Sequence, residues 1–284
     1  MNNSPLVTII CLCYNHEQFV MEAIQSVLDQ TYEPIQLIVI DDASTDNSLE
    51  VVANICESYP EIQFIDNSSN LGNCKSFNKA LEYAKGKYLI DLAADDVLLP
   101  ERVEEGVKAF RKNPDNYGVN FSNAEYIDEG GRHLRYFYPM ETGKKVIQGD
   151  LFAQLVMSYI ISSPTTMFKK EVIDKMGGYD ESLAYEDFDF WVRSSREWHY
   201  CYTDKVLVKK RVVVNSLGSQ QYKRKSVQRM STYTVCKKAY DLCRSPAEFN
   251  ALRKRIQYEL KYSIWHFNLW LSCRYVLLWL KSIR

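Results

Sequence analysis

The feature that most constrains this chain is an alternation running through its first 110 residues. Four short apolar runs recur, each followed by a stretch with helical periodicity. Residues 6–13, LVTIICLC, read as a continuous buried strand, and Glu17–Gln30 as the helix after it. IQLIVI at 35–40 is a second strand, with a helix after Asp46. IQFI at 62–65 and YLIDLA at 88–93 are the third and fourth. Lys75–Ala84 and Pro100–Phe110 are their helices, the proline sitting in a first turn where a helix tolerates it. These strands are predominantly apolar runs rather than period-two alternations. That predicts an α/β fold built on a mostly parallel sheet with both faces covered by helices. Sheets of this kind bind ligands beyond the carboxyl ends of their strands. The residues just after strands one, two and four are therefore where chemistry is expected.

The second half is less regular. GVNFSNAEYI at 118–127 reads as a strand and EGG at 129–131 as a turn. A helix is expected over Asp150–Tyr159, a strand at Thr165–Phe168, a helix over Glu186–Arg196, and a strand or strand pair at 206–214. Ser245-Pro246-x-Glu248 carries a helix start, with serine as N-cap and glutamate placed to close a capping box.

The net charge of −1 conceals a split. Residues 205–284 hold 18 Lys and Arg against three acids, net +15, which leaves 17 bases and 33 acids, net −16, in residues 1–204. Such asymmetry points to an anionic partner for the basic part, or to attraction between the two halves. The apolar share of 46% excludes wholesale disorder. No recognition motif accompanies the basic charge, so no nucleic-acid partner is expected. The eight cysteines form no C-x-x-C pair and several lie in apolar runs, which fits buried reduced thiols in a cytoplasmic protein. Cys11 and Cys13 share a strand face, where core packing outweighs a metal role. The short apolar run at the start, without a basic n-region, argues against a signal peptide.

Two acidic pairs follow corresponding strands: Asp41-Asp42, within DDASTD, and Asp95-Asp96. Crowded like charges repel unless a cation or hydrogen bonds offset them. Hard carboxylate oxygens suit Mg²⁺ or Mn²⁺ shared with substrate phosphates. Any one of these aspartates is explained by a cap, a turn or solvation, but two pairs at strand ends favour a binding site. A third cluster, Glu186-Asp187-Phe188-Asp189, suits a helix N-terminus and equally a general base. Of the four histidines only His16 falls near the expected pocket, and none has a partner spacing that suggests zinc.

Three blocks carry a resemblance. VTIICLCYNHEQFVMEAIQSVLDQTYEPIQLIVIDDASTDNS resembles the opening of family 2 glycosyltransferases. NLGNCKSFNKALEYAKGKYLIDLAADDVLLPERV is similar to their next block, and GGYDESLAYEDFDFWVR to the block holding their acid pair. The three keep the family's order across roughly residues 5–200. The resemblance implies a GT-A fold, with a nucleotide-binding, Rossmann-like, mostly parallel sheet over 1–205. Residues 206–284 would then form a basic, largely helical C-terminal extension. It further implies an inverting transfer of sugar from a nucleotide-diphosphate donor, UDP- or dTDP-linked, to a hydroxyl of a saccharide or lipid-linked saccharide in cell-surface polysaccharide synthesis. Tyr14 and Asp42 match base-contacting positions. Asp95 matches the metal-binding aspartate, for Mn²⁺ or Mg²⁺, with Asp96 beside it. Asp187 matches the general base, with Glu186 its neighbour.

The departures are Ala93, where relatives carry Asp, Phe77, where they carry Arg, and Val213, where they carry His. Lys75 could replace the lost arginine charge, and Arg211 could contact the diphosphate or be a solvated strand residue. Trp191 could wall an acceptor site or pack in a core. These departures motivate an alternative, a degenerate sugar-nucleotide-binding or scaffold protein. Nucleotidyl transfer is a third reading, disfavoured because CYNHEQ stands where a Gly-rich loop would be needed. The basic run at 220–229 and the apolar segment 264–284 remain. The latter, with Trp265, Trp270 and Trp279, fits three roles: a peripheral contact with the inner face of the cell membrane, packing on the catalytic domain, or a homodimer contact.

Overall fold

A computed structural model of the chain describes residues 4–140, 146–214 and 226–283. The chain divides into two units. One comprises residues 1–149, 161–179 and 198–213; the other comprises 150–160, 180–197 and 214–284.

The first unit is built on one sheet. Its parallel part runs β3 (Gln63–Asp66), β2 (Ile35–Asp41), β1 (Val7–Cys13) and β4 (Tyr88–Ala93), in that spatial order. The apolar runs become these strands because both faces are covered: Val7, Ile9, Ile10 and Cys11 have no exposed surface. Helices α1 (Val20–Leu28), α2 (Ser48–Ser58), α3 (Asn73–Leu81) and α4 (Arg102–Lys112) follow the four strands. α1 begins three residues later than its periodicity predicts. The backbone of residues 15–17 is hydrogen-bonded to a neighbouring loop instead, and Asn15 adopts a φ of +56°.

Beyond β4 the sheet becomes mixed. β5 (Val97–Leu98), β6 (Tyr117–Ile127), β7 (His133–Tyr136), β8 (Met167–Lys169) and β9 (His199–Arg211) complete it among the described residues. β8 pairs antiparallel with β4 and β6, and β9 runs parallel to β6 and antiparallel to β5. The turn expected at 129–131 joins β6 to β7. The strand expected at Thr165 starts at Met167, because Ser163–Thr165 form a 3₁₀ turn around Pro164. α5 (Phe152–Met157) precedes this stretch in the chain and α6 (Lys170–Met176) follows it.

The boundary expected at 205/206 falls inside β9, which pairs with β6 from His199 to Arg211 and so keeps the strand in one unit. The second unit instead combines the C-terminal helices with two earlier excursions. It contains α5 (Phe152–Met157), α7 (Asp187–Ser194), α8 (Val227–Leu242), α9 (Pro246–Trp265) and α10 (Leu269–Lys281). The capping box at α9 is formed as its sequence predicts: Ser245 Oγ accepts from Glu248 N, and Glu248 Oε2 accepts from Ser245 N. Phe152, Phe188, Val235, Leu252, Ile256 and Tyr275 share a buried core. No helix among the described residues is long and apolar enough to cross a membrane. Cys11, Cys13, Cys74, Cys201 and Cys236 are buried free thiols.

Candidate functional site

The carboxyl ends of β1, β2 and β4 are brought level by register. Cys13 lies beside Asp41, and Leu12 beside Ala93. Backbone bonds carry this alignment past the strand ends, from Asp42 N to the Cys13 carbonyl and from Ala94 N to the Leu12 carbonyl. The order 3-2-1-4 reverses direction at β1, which is where a doubly wound sheet opens a crevice. Tyr14, Asp42 and Asp95 all follow these ends.

The polar string after β2 builds the first wall. Asp41 is fully buried and turns the chain by accepting from Ser44 N at 2.8 Å and Ser44 Oγ at 2.6 Å, with Ala43 at a φ of +58°. The loop is then stapled to residues 15–17. Ser44 Oγ accepts from Asn15 N, Ser48 Oγ from His16 N, and Asp46 Oδ2 from Glu17 N. Asn15 Oδ1 accepts in return from Thr45 N at 2.7 Å. With its neighbours so anchored, Tyr14 projects half-exposed from the end of β1, able to stack a planar ring.

Asp42 is buried and reaches the start of α3. Its Oδ1 accepts from Asn67 Nδ2, Leu71 N and Ser76 Oγ at 2.8–2.9 Å, and its Oδ2 from Gly72 N at 2.8 Å. Gly72 has a φ of +85°, the left-handed region that glycine adopts without strain, and this aims consecutive amides at one carboxylate. Oδ2 keeps capacity for a further donor. Asn67, Ser76 and Lys79, whose Nζ donates to Asn67 Oδ1 at 2.6 Å, belong to this cluster and were not anticipated. The glycine before a helix was the signal that could have found them. Lys75 is exposed on the first turn of α3. Phe77 is fully buried and stacks on Tyr179 at 4.2 Å, so core packing occupies the place of the missing arginine.

The end of β4 holds the sharpest geometry. Asp96 is buried rather than solvated, and its Oδ1 accepts from Arg211 N at 2.8 Å. Burial first, and the adjacent Asp95 carboxylate second, push its pKa up to about 8. Arg211 is not a solvated strand residue. It is buried, donating from Nε to the Asp95 carbonyl at 3.0 Å, from Nη1 to the carbonyls of Asp128 and Glu129, and from Nη2 to Glu22 at 2.5 Å. Its guanidinium also lies 4.8 Å from the Phe19 ring centre. These contacts use most of its donors to hold the Asp95-Asp96 turn.

Asp95 differs from every other acid here. Its side chain is 13% exposed, and its carboxylate accepts no hydrogen bond among the described residues; the imidazole Nε2 of His16 lies 3.9 Å away. The buried Nδ1 of His16 also has no partner. An anionic oxygen pair left unbonded at a strand end fits a hard divalent cation. No cluster of three or more His, Cys, Asp or Glu placed to hold a metal occurs among the described residues. The protein therefore offers a carboxylate foothold, the type of site that a substrate's phosphates complete.

The acid pair lies in the second unit. Asp187 opens α7 and Glu186 precedes it, both partly exposed, with Asp187 Oδ1 accepting from Phe188 N at 2.6 Å. Asp189 is buried and neutralised by Arg193 and Lys238, each at 2.6 Å. Trp191 resolves to core: it is 2% exposed and meets Tyr159 edge-on. Ser162, Thr165 and Thr166 are buried in the first unit. Residues 220–225 of the basic run lie outside the described residues, as do 141–145.

Residues 8–177 match the sequence model of glycosyl transferase family 2. An uncharacterized glycosyltransferase of Methanocaldococcus jannaschii is 32% identical over 214 residues, spanning 74% of this chain and 72% of its own. One from Haemophilus influenzae is 29% identical over 234 residues, spanning 77% and 69%. Among solved structures, residues 1–349 of S. aureus TarS in complex with UDP-GlcNAc align with a TM-score of 0.71 at 16% identity, covering 97% of this chain and 79% of that one. The mannosyltransferase PcManGT from Pyrobaculum calidifontis, in complex with GDP-Man and Mn²⁺, aligns at 0.68 and 16% identity, covering 98% and 74%. At such identity the likeness speaks for the fold alone.

Proposed function

This chain belongs to glycosyl transferase family 2, and on that premise we propose that it inverts the anomeric centre of a nucleotide-diphosphate sugar as it transfers the sugar to a hydroxyl of a saccharide or lipid-linked saccharide. The fold is GT-A and the protein is a glycosyltransferase. The observation that carries the proposal is the unbonded Asp95 carboxylate at the end of β4.

In this reading Tyr14 stacks on the nucleotide base, and Asp42 accepts from it through the underused Oδ2. Lys75, an exposed cation against the dipole of α3, attracts the diphosphate. Asp96 and Arg211 hold the turn that presents Asp95. A divalent cation on Asp95 would neutralise charge on the departing nucleoside diphosphate. Asp187, with Glu186 beside it, takes the proton of the acceptor hydroxyl, a role supported by its place in the family's third block.

UDP and dTDP donors are favoured, UDP having support from the UDP-GlcNAc complex of TarS, which shares the fold. The setting is cell-surface polysaccharide synthesis on the cytoplasmic side of the membrane. The test is purified protein with Mn²⁺ and a panel of UDP-, dTDP- and GDP-sugars, read as donor hydrolysis and transfer. Metal-dependent turnover of a UDP- or dTDP-sugar is expected. Tight nucleotide binding without turnover on any donor would overturn the proposal in favour of a degenerate binding protein.

A further inference from the structure

α10 is two-faced in an unusual sense, because both faces are apolar. Leu271, Tyr275 and Leu278 are buried in the core of the second unit. At 100° per residue, Leu269, Trp270, Val276, Leu277 and Leu280 fall on the opposite side, within an arc of about 120°, and all are exposed. The turn before α10 adds Trp265 and Phe267, at 71% and 77% exposure. Phe267 has a φ of +55°, a left-handed conformation disfavoured for a bulky residue, so a strained turn holds an apolar ring outward.

Cations border this face. Arg274 and Lys281 follow the apolar arc on the helical wheel, and the Arg274 guanidinium stacks 3.9 Å from the Trp270 ring centre. Lys254 and Lys261 are exposed on α9. Between residues 249 and 283 the sole acid is Glu259, which is buried and faces Arg255 at 3.4 Å. Residues 249–283 thus combine exposed tryptophan and leucine with positive charge and no exposed acid of their own.

We propose that the outer face of α10, with the Trp265–Phe267 turn, docks on the interface of an anionic lipid bilayer. Charge decides the occupant. Two copies packed face to face through α10 would oppose cation to cation with no acid on the helix to offset them, whereas anionic headgroups neutralise the row and leave the apolar arc to enter the acyl boundary. Tryptophan and arginine are suited to that depth, with rings at the headgroup level and charges reaching out. The 13 residues of α10 span about 20 Å, short of the roughly 30 Å hydrocarbon core, so the helix lies in the interface rather than across it. The inference rests on residues outside the donor site and does not depend on the reaction proposed above.

Flotation of the full chain tests it, using phosphatidylcholine vesicles with and without phosphatidylglycerol. The protein should float with the anionic vesicles and be released by high salt. Trp270→Asp combined with Leu277→Asp should lower partitioning at least about tenfold, and Arg274→Glu with Lys281→Glu should abolish the preference for phosphatidylglycerol. Because these side chains are exposed, circular dichroism and the melting midpoint should match the unaltered protein. Failure to float with anionic vesicles, or flotation unaffected by the Trp270–Leu277 pair, overturns the proposal. Sedimentation showing a dimer that the same pair dissociates, without vesicle binding, would assign the face to a second copy instead.

Discussion

The backbone N–H of Arg211 donates to Asp96 Oδ1 at 2.8 Å, although 115 residues separate them. The antiparallel pairing of β5 with β9, Val97 with Lys209, runs the two strands so that Arg211 falls beside the Asp95-Asp96 turn. One residue thereby fixes Asp96 through its main chain and the Asp95 carbonyl through its side chain.

Arg211→Met should therefore leave the Asp96 bond in place and remove the side-chain donor from three backbone carbonyls. Loss of about 2–3 kcal/mol of stability is expected, read from thermal or urea unfolding. The metal concentration giving half-maximal activity should rise as well, which distinguishes misplacement of Asp95 from simple destabilisation. Arg211→Lys should not restore either property, since an ammonium cannot reach all these acceptors at once.

Asp95→Asn should cut kcat/KM by about 100-fold or more, because stabilisation of leaving-group charge by a cation is worth several kcal/mol and each 1.4 kcal/mol is tenfold. Folding should be unaffected, since no hydrogen bond to a described residue is lost. His16→Ala removes an imidazole that lies 3.9 Å from Asp95 without a hydrogen bond to it, so it should change the Mn²⁺ concentration giving half-maximal activity far less than Asp95→Asn does. A metal titration of activity checks both.

Asp187→Asn should lower transfer by about 10²–10⁴-fold, the usual range for a general base, while donor affinity by calorimetry stays unchanged. Asp189→Asn is the contrast. Its buried carboxylate neutralises Arg193 and Lys238, so this change should lower the melting midpoint.

Acid stability offers a separate check. Burial alone would raise the pKa of Asp180, but hydrogen bonds from Lys238 and Ser182 outweigh it and hold the group down at about 2, against an ordinary 3.8. A carboxyl with a depressed folded pKa adds stability that is present above its unfolded value. That stability is lost as pH falls through the window from about 4 to about 2. Melting midpoints recorded across pH 2–5 should fall in this window, and Asp180→Asn should flatten the fall. An unchanged slope in the variant would show that Asp180 is not the titrating group.

The candidate site was legible to different depths. The four apolar runs announced β1 to β4, and parallel order then placed Tyr14, Asp42 and Asp95 at carboxyl ends. Asp42 was expected from the resemblance as a base contact, but the hydrogen bonds from Asn67, Gly72 and Ser76 that bury it could not be seen, because they arise 25 to 34 residues downstream. Arg211 looked equally suited to solvent or to a diphosphate. Its buried bracing role depends on the β5–β9 register, which local patterns do not encode. At the boundary expected between 205 and 206 the charge composition changes while the pairing of β9 with β6 continues through it.

Sequence alone therefore determined the parallel α/β core, the capped start of α9 at Ser245, and the family, all of which rest on local periodicity, local capping or short ordered motifs. Tertiary structure decided which acids are bonded and which one is left open. It buried Asp42, Asp96 and Asp189 against donors from elsewhere in the chain and left the Asp95 carboxylate without a hydrogen bond among the described residues. It likewise decided which side of α10 is buried, because an apolar helix carries no local mark of the face its neighbours will cover. Hydrophobic pattern is a property of adjacent residues, whereas the satisfaction of a buried charge is a property of distant ones.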